Sequence, residues 1–335
     1  MTSLRFDVLG LGNAIVDVLA RVEDDFLVKE GLAKGSMALI DEARASELYG
    51  KIGQTILISG GSAANTLAGV ASLGGKAAFI GKVRNDDLGK SFAHDIRAAG
   101  VHFETAAATD GPITASSTIL ITPDGERTMN TFLGASQHLK PSDVDADLVR
   151  SSGTIYLEGY LWDPPEAKEA FRRTSDIAHE AGRLVALTLS DSFCVGRYRE
   201  EFLDLIRSGK VDLVFANEHE AKALYETADF DSAISALRND ARSAVVTRSE
   251  KGGLFVTREE TVAVPAQPID KLVDATGAGD LYAAGVLAGF ARGLEAAESL
   301  RLGALAAAEV LSHIGARPQV KLANLAAENG FLQPA

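Results

Sequence analysis

Apolar residues follow two rhythms along this chain. Short continuous runs at 6–11, 76–80, 154–157, 184–189 and 213–216 have the length of strands buried on both faces. Between them lie stretches with helical spacing, opening at 41, running over 66–73, ending near 99, and covering 165–181 and 198–208. Strands alternating with helices predict a mostly parallel sheet covered on both faces, with ligands at the carboxyl ends of its strands. The rhythm changes at 114–133, where β-rich runs 116–122 and 127–132 flank Pro123-Asp124-Gly125-Glu126, a hairpin signal. With strands at 16–22, 37–40 and 101–106, that hairpin is expected to form a small separate sheet, a lid. The expected partition is a lid from about 14–40 and 101–133 over a large α/β domain from 1–13, 41–100 and 134–335. Further on, strands at 244–247, 254–257 and 261–265, a short strand ending near Val273 and Ala-rich helices at 281–290 and 300–314 complete the pattern.

Composition narrows the class. The chain has 335 residues and 46% hydrophobic content, enough for one large domain or two ordinary ones with a sizeable core. With 33 basic against 46 acidic residues the net charge is −13, and no block of like charge stands out. That balance argues against nucleic acid or an anionic membrane as the main partner, while leaving room for a phosphorylated ligand held by local amides and an Arg. Cys194 is the only cysteine, so no intrachain disulfide can form and a reducing, cytoplasmic setting fits. The first residues lack a basic region followed by an apolar core, and no apolar run reaches the roughly 18 residues of a membrane span. A soluble protein that is not exported is expected, as monomer or homodimer.

The strongest chemical signal is Asp274-Ala275-Thr276-Gly277-Ala278-Gly279-Asp280, between a strand and a helix of small residues. A backbone passing through Gly277, Ala278 and Gly279 carries almost no side chain, so its amides can converge on an anion where the helix dipole adds positive potential. Asp280 falls in the first helical turn. An acid beside an anion hole suggests removal of a proton from a hydroxyl as it attacks phosphorus. Taken alone, the stretch also admits the plainer reading of a Gly-rich helix start with a dipole-favoured acid.

Other segments are weaker. Gly60-Gly61-Ser62-Ala63-Ala64-Asn65 leads into a helix, with Ser62 as a candidate N-cap; Asn65 is either a helix-start residue or an amide open to ligand hydroxyls where paired glycines allow close approach. Asn217 and Glu220 form an N-cap with a capping-box acid, or an amide and acid that hold water around Mg²⁺. The loop from Thr247 through Ser249 to Gly252 reads as a hairpin loop or as a lining for nucleotide phosphates. Gly10 and Gly12 suggest a dinucleotide fingerprint, but Ile15 stands at its third glycine and strand-like alternation follows. Gly89-Lys90-Ser91 lacks the upstream glycine of a P-loop, and His219-Glu220 lacks the second His of a zinc site.

Together these residues resemble the PfkB, or ribokinase-like, kinase family over nearly the whole chain. Residues 274–280 match its signature D-[TA]-x-G-A-G-D at every defined position, 60–65 with Gly74, Gly81 and Gly89 look like its N-terminal signature, and 217–220 look like its N-x-x-E motif. The resemblance implies a ribokinase-like fold and MgATP-dependent phosphorylation of a primary hydroxyl, with a monovalent cation as a further candidate. It gives Asp280 as base, Gly277–Gly279 as anion hole, Asn217 and Glu220 as organisers of Mg²⁺ through water, and 247–252 with the helix around Ala308 and His313 flanking the nucleotide. Gly12-Asn13-Ala14-Ile15-Val16-Asp17 and Gly125-Glu126-Arg127-Thr128 are similar to the adenosine kinase-like branch. That likeness implies a nucleoside held by Asn13, Asp17, Gly60, Gly61 and Asn65, a base stacked on Phe132, and Arg127 reaching the transferred phosphate. From chemistry alone Asp17 and Arg127 are equally surface charges and Phe132 a core aromatic. Ala14 replaces the branch's proline. A sugar kinase of the same fold and a nucleoside-binding sensor without turnover are the alternatives.

Overall fold

The computed structural model describes residues 4–331. In chain order its strands are β1 (Phe6–Leu11), β2 (Ile15–Arg21), β3 (Met37–Leu39), β4 (Thr55–Gly60), β5 (Ala77–Ile80), β6 (Val101–Phe103), β7 (Ala115–Ile121), β8 (Arg127–Phe132), β9 (Ser152–Glu158), β10 (Leu184–Thr188), β11 (Leu213–Asn217), β12 (Ser243–Thr247), β13 (Gly253–Thr257) and β14 (Thr261–Val264). Nine of them form one sheet in the order β14-β13-β12-β11-β10-β9-β1-β5-β6, parallel from β12 to β6 with an antiparallel edge at β13 and β14.

Period-two alternation explains why the central strands read as unbroken apolar runs. In β1, Val8 enters the core on one face while Leu9 and Leu11 enter the other; Tyr156 against Ile155 and Leu157 in β9, and Ala186 against Val185 and Leu187 in β10, repeat the split. Helices Ser62–Ser72, Asp87–Ala98, Ala278–Ala291 and Ala296–Leu311 cover the first face, and Pro165–Glu180, Ser192–Arg207, Glu218–Leu224 and Phe230–Asp240 the second.

Small residues set the spacing of the helices that carry the site. A Cβ on Gly69 would lie 2.6 Å from that of Ala284, and one on Gly285 would lie 2.5 Å from Gly303 Cα. The helix Ala278–Ala291 is therefore wedged between Ser62–Ser72 and Ala296–Leu311 at backbone contact, which fixes the first turns of Ser62–Ser72 and Ala278–Ala291 relative to one another.

A second sheet has the order β3-β8-β7-β2-β4. Ala20, Leu27 and Leu120 bury the face covered by the helix Asp24–Glu30, whereas Ile15, Asp17 and Leu19 lie half-buried on the other face. The hairpin β7–β8 appears as expected, and the fold class is the expected α/β architecture with a large sheet and a smaller one.

Two strands change sheets relative to the sequence reading. β6 is the edge of the large sheet, paired to β5, because Phe103 packs on Phe79 and Phe92. β4 pairs with β2 in the small sheet, and the chain leaves it through Gly61 at φ +97 straight into a helix. No strand ends near Val273: Pro265 and Pro268 have no N–H to give a ladder, and the Val273 amide donates to Leu311 O.

Candidate active site

The carboxyl ends of β1 and β9 meet the first turns of two helices, and most residues singled out in the sequence converge there. Asp280 sits in the first turn of Ala278–Ala291, accepting from Ser62 Oγ at 2.7 Å and from Asn65 Nδ2 at 3.1 Å. Burial pushes its carboxyl up to about 6, against the two hydrogen bonds and the charge of Arg317. Ser62 is not the N-cap; Gly61 takes that position, leaving the Ser62 hydroxyl to hold the acid.

Gly277 caps the helix at φ +81, with Ala316 Cα only 2.7 Å from where a Cβ would stand. Leu281 N returns to Gly277 O, whereas the amides of Gly277, Gly279 and Asp280 have no partner among the described residues, and the space before Gly279 is open. Ala278 N is turned back to Ala275 O at 3.3 Å. Three unpaired donors at a helix N-terminus are chemically suited to receive an anion beside the acid.

Asp17 faces this space from β2. Its carboxylate accepts no hydrogen bond from any described residue; burial pushes it up to about 6, opposed by the charges of Arg317 and Arg127 and reinforced by Asp280. The paired glycines make room for it. A Cβ on Gly60 would lie 2.6 Å from the Asp17 carboxyl carbon, and one on Gly61 2.2 Å from Asn13 O. A side chain at either glycine would thus collide with this chain's own Asp17 and Asn13.

Asn13 and Asn65 are more engaged than the sequence suggested. Asn13 is buried, donating from its amide and Nδ2 to Glu158 Oε1 at 3.2 and 2.8 Å and accepting from Gln137 Nε2 at 3.3 Å. Asn65 is held between Asp280 and Arg317, whose Nε donates to Oδ1 at 2.8 Å. Arg127 reaches from β8 to Asp274 and, at 3.0 Å, to Thr276 Oγ1, bridging the small sheet to the glycine turn. Burial pushes Asp274 up, but the amides of Gly315 and Thr276 and the Arg127 charge hold it below the usual carboxylate range. Phe132 is half-buried at the end of β8.

Farther along the same sheet edge, Asn217 and Glu220 close a full capping box. Asn217 Oδ1 accepts from the amides of His219 and Glu220, and Glu220 accepts from Asn217 N at 2.9 Å and Nδ2 at 2.5 Å. Burial raises the Glu220 carboxyl to about 7. Thr247 ends β12, Ser249 has φ +50 and Gly252 φ +85, where a Cβ would meet Val264 O at 2.0 Å. His313 is paired to Glu309 at 3.1 Å past the helix that carries Ala308. No group of three or more His, Cys, Asp or Glu poised for a metal occurs among the described residues.

Comparison with known proteins decides the family. Residues 27–322 match the model of the pfkB family carbohydrate kinases. The chain belongs to the PfkB family. It is 55% identical to the adenosine kinase from Sinorhizobium meliloti, with a TM-score of 0.90 over 97% of this chain and 100% of that one. It is 52% identical to a probable sugar kinase protein from Rhizobium etli CFN 42, with a TM-score of 0.91 over 99% and 100% of the two chains. It is 27% identical to the adenosine kinase of Saccharomyces cerevisiae over 91% of this chain and 94% of that one. The PfkB chain is thus a phosphotransferase with an alcohol acceptor, in the adenosine kinase-like branch.

Two residues of this PfkB site were missed in the sequence. Glu158 ends β9 with both oxygens engaged, Oε2 accepting from Ala63 N at 2.8 Å, and burial pushes it up to about 7. An acid closing an apolar run was the available signal. Arg317 had none beyond its position after Gly315-Ala316. No helix among the described residues is long and apolar enough to cross a membrane.

Proposed function

We propose that this chain transfers the γ-phosphoryl group of ATP to the 5′-hydroxyl of a nucleoside, adenosine foremost, giving AMP and ADP. The observation that carries the reading is Asp280, gripped on both oxygens by Ser62 and Asn65 within the same helix turn as three unpaired amides. In this reading Asp280 takes the hydroxyl proton, and the amides of Gly277, Gly279 and Asp280 stabilise the charge on the migrating phosphoryl group. Asp17, desolvated and unpartnered, binds the ribose hydroxyls, and Phe132 lies against the base. Asn13, Asn65, Gly60 and Gly61 shape the pocket more than they touch the ligand. Arg127 approaches the phosphoryl group from the small sheet, while Thr247, Ser249, Gly252, Ala308 and His313 border the nucleotide. Mg²⁺ supplies charge neutralisation of the triphosphate when bound. Glu220, both of whose oxygens already serve Asn217, suits contact through water. Similarity to the two adenosine kinases favours the nucleoside.

The second reading is a sugar kinase, favoured by the similarity to the Rhizobium etli protein. ADP release measured with ATP against a panel of nucleosides and sugars separates the two: turnover confined to sugars defeats the nucleoside reading, and binding of a nucleoside without ADP release favours a sensor. Asp280→Asn is expected to cut kcat by about a thousandfold or more while nucleotide binding persists, since a base acts in the transition state. Undiminished turnover in that variant removes Asp280 from the mechanism.

A further inference from the structure

Arg317 lies in the loop after the helix Ala296–Leu311, outside every motif of the chain, yet its guanidinium is drawn into the acceptor end of the site. Nε donates to Asn65 Oδ1 at 2.8 Å, and Nη2 donates to Ser59 O at 2.5 Å and Ser59 Oγ at 3.0 Å. Ser59 in turn donates from its hydroxyl and its amide to Asp95 Oδ2, at 2.5 and 2.7 Å. A line of hydrogen bonds therefore runs from Asp95 on the helix Asp87–Ala98, across the end of β4, through Arg317 and Asn65, to Asp280.

The chemistry of its two ends fixes the amide in the middle. A guanidinium can only donate and an ionised carboxylate can only accept, so Asn65 between them stands one way, Oδ1 toward Arg317 and Nδ2 toward Asp280. Without the guanidinium the amide is free to turn over and set its oxygen against the carboxylate. Charge points the same way. Asp280 is faced by Ser62 and Asn65 from their helix, Asp17 from β2, Tyr156 and Glu158 from β9, Tyr160 just beyond it, and Arg317. Arg127 reaches the field of Asp17, but among the described residues only Arg317 brings positive charge to both carboxylates.

We propose that Arg317 is a positioning residue for phosphoryl transfer: it locks the Asn65 amide so that Asn65 and Ser62 aim Asp280 at the acceptor hydroxyl, and it offsets the charge of Asp280 and Asp17 together. The inference rests on Asp280 being the base.

Arg317→Met and Arg317→Lys are compared with the unaltered chain for kcat, acceptor KM and the acid limb of kcat/KM, with Asp280→Asn as reference. The methionine variant is expected to lose about tenfold to a hundredfold in kcat and to shift the acid limb up by about half a unit to one unit. The lysine variant is expected to return the limb toward its original position without recovering kcat, because an ammonium supplies charge but not the guanidinium's fork. A methionine variant with unaltered kcat and limb overturns the proposal. So does a loss of kcat in both variants with the limb unmoved in both, the mark of a merely structural role. If the methionine variant does not fold, Arg317→Gln takes its place and is judged by the same two readouts against the lysine variant. Turnover retained by Asp280→Asn would sink the base assignment along with this role, whereas an inactive Asp280→Asn beside an unaltered Arg317→Met sinks only the role of Arg317.

Discussion

At the scale of single residues, what distinguishes the carboxylates at the acceptor end is whether they are already paired. Glu158 holds Asn13 and Ala63, Asp280 holds Ser62 and Asn65, and Asp17 accepts no hydrogen bond from any described residue. A half-buried, desolvated carboxylate that Arg317 and Arg127 offset in charge but that no donor hydrogen-bonds is the group most in need of a ligand's hydroxyls. Hydrogen bonds to a charged acceptor contribute about 1.5–3 kcal/mol, so Asp17→Asn is expected to raise the acceptor KM by about tenfold to a hundredfold, with a smaller change in kcat. Steady-state kinetics at saturating ATP checks this, and an unchanged KM would take Asp17 out of the pocket. Asp17 was singled out through the likeness of 12–17 to the adenosine kinase-like branch, since on chemistry alone an acid on a strand is equally a surface charge. The engagement of Asn13 was not legible, because its partner Glu158 lies 145 residues away and only the fold brings them together.

At the scale of elements, the glycine turn and the packed helices behind it form one device. The amides stay open because Gly277 adopts a left-handed conformation against the backbone of Ala316, and the helix they lead into is held by the contacts of Gly69 with Ala284 and Gly285 with Gly303. Gly277→Ala adds both a strained φ and a Cβ 2.7 Å from Ala316 Cα. It is expected to cost about 1–3 kcal/mol in stability and to lower kcat more than acceptor binding. Denaturant melts and kinetics of the same preparation test the pairing of these effects; a stable variant with full kcat would mean that the turn is not the anion hole. The motif and the helix after it were readable because small residues and a dipole-favoured acid leave a local mark. The strand expected before it was an error of the same local kind: an apolar Leu272-Val273 pair looks like a strand end, but the preceding prolines cannot join a ladder and Val273 is tied to the end of a neighbouring helix. Sheet membership of β4 and β6 was equally illegible, since alternation tells a strand from a helix and says nothing of which edge it joins.

At the scale of the whole molecule, activity and stability should part company as the pH falls. Asp17 and Asp280 are pushed up to about 6, and Glu158 and Glu220 to about 7, all chiefly by burial. Each of the four binds its proton more tightly in the folded chain than in the unfolded one, so each contributes stability that is fully present below its unfolded value and is lost as pH rises through 6–7. Groups whose carboxyls are held down, such as Asp274 beside Arg127 and Glu218 beside Lys222 at about 2, stay ionised throughout that window and do not counter the trend. With Asp280 as the proposed base, catalysis has the opposite sign, because a protonated Asp280 cannot accept the hydroxyl proton. Between pH 7.5 and about 5.5, kcat/KM is therefore expected to fall along a limb centred near 6, reversibly, while the midpoint of thermal unfolding holds steady or rises. Melting curves and initial rates taken on the same buffer series measure both. A midpoint that drops in step with activity would mean that the buried acids are stabilised as anions by the fold, and that acid inactivation is unfolding rather than loss of the base.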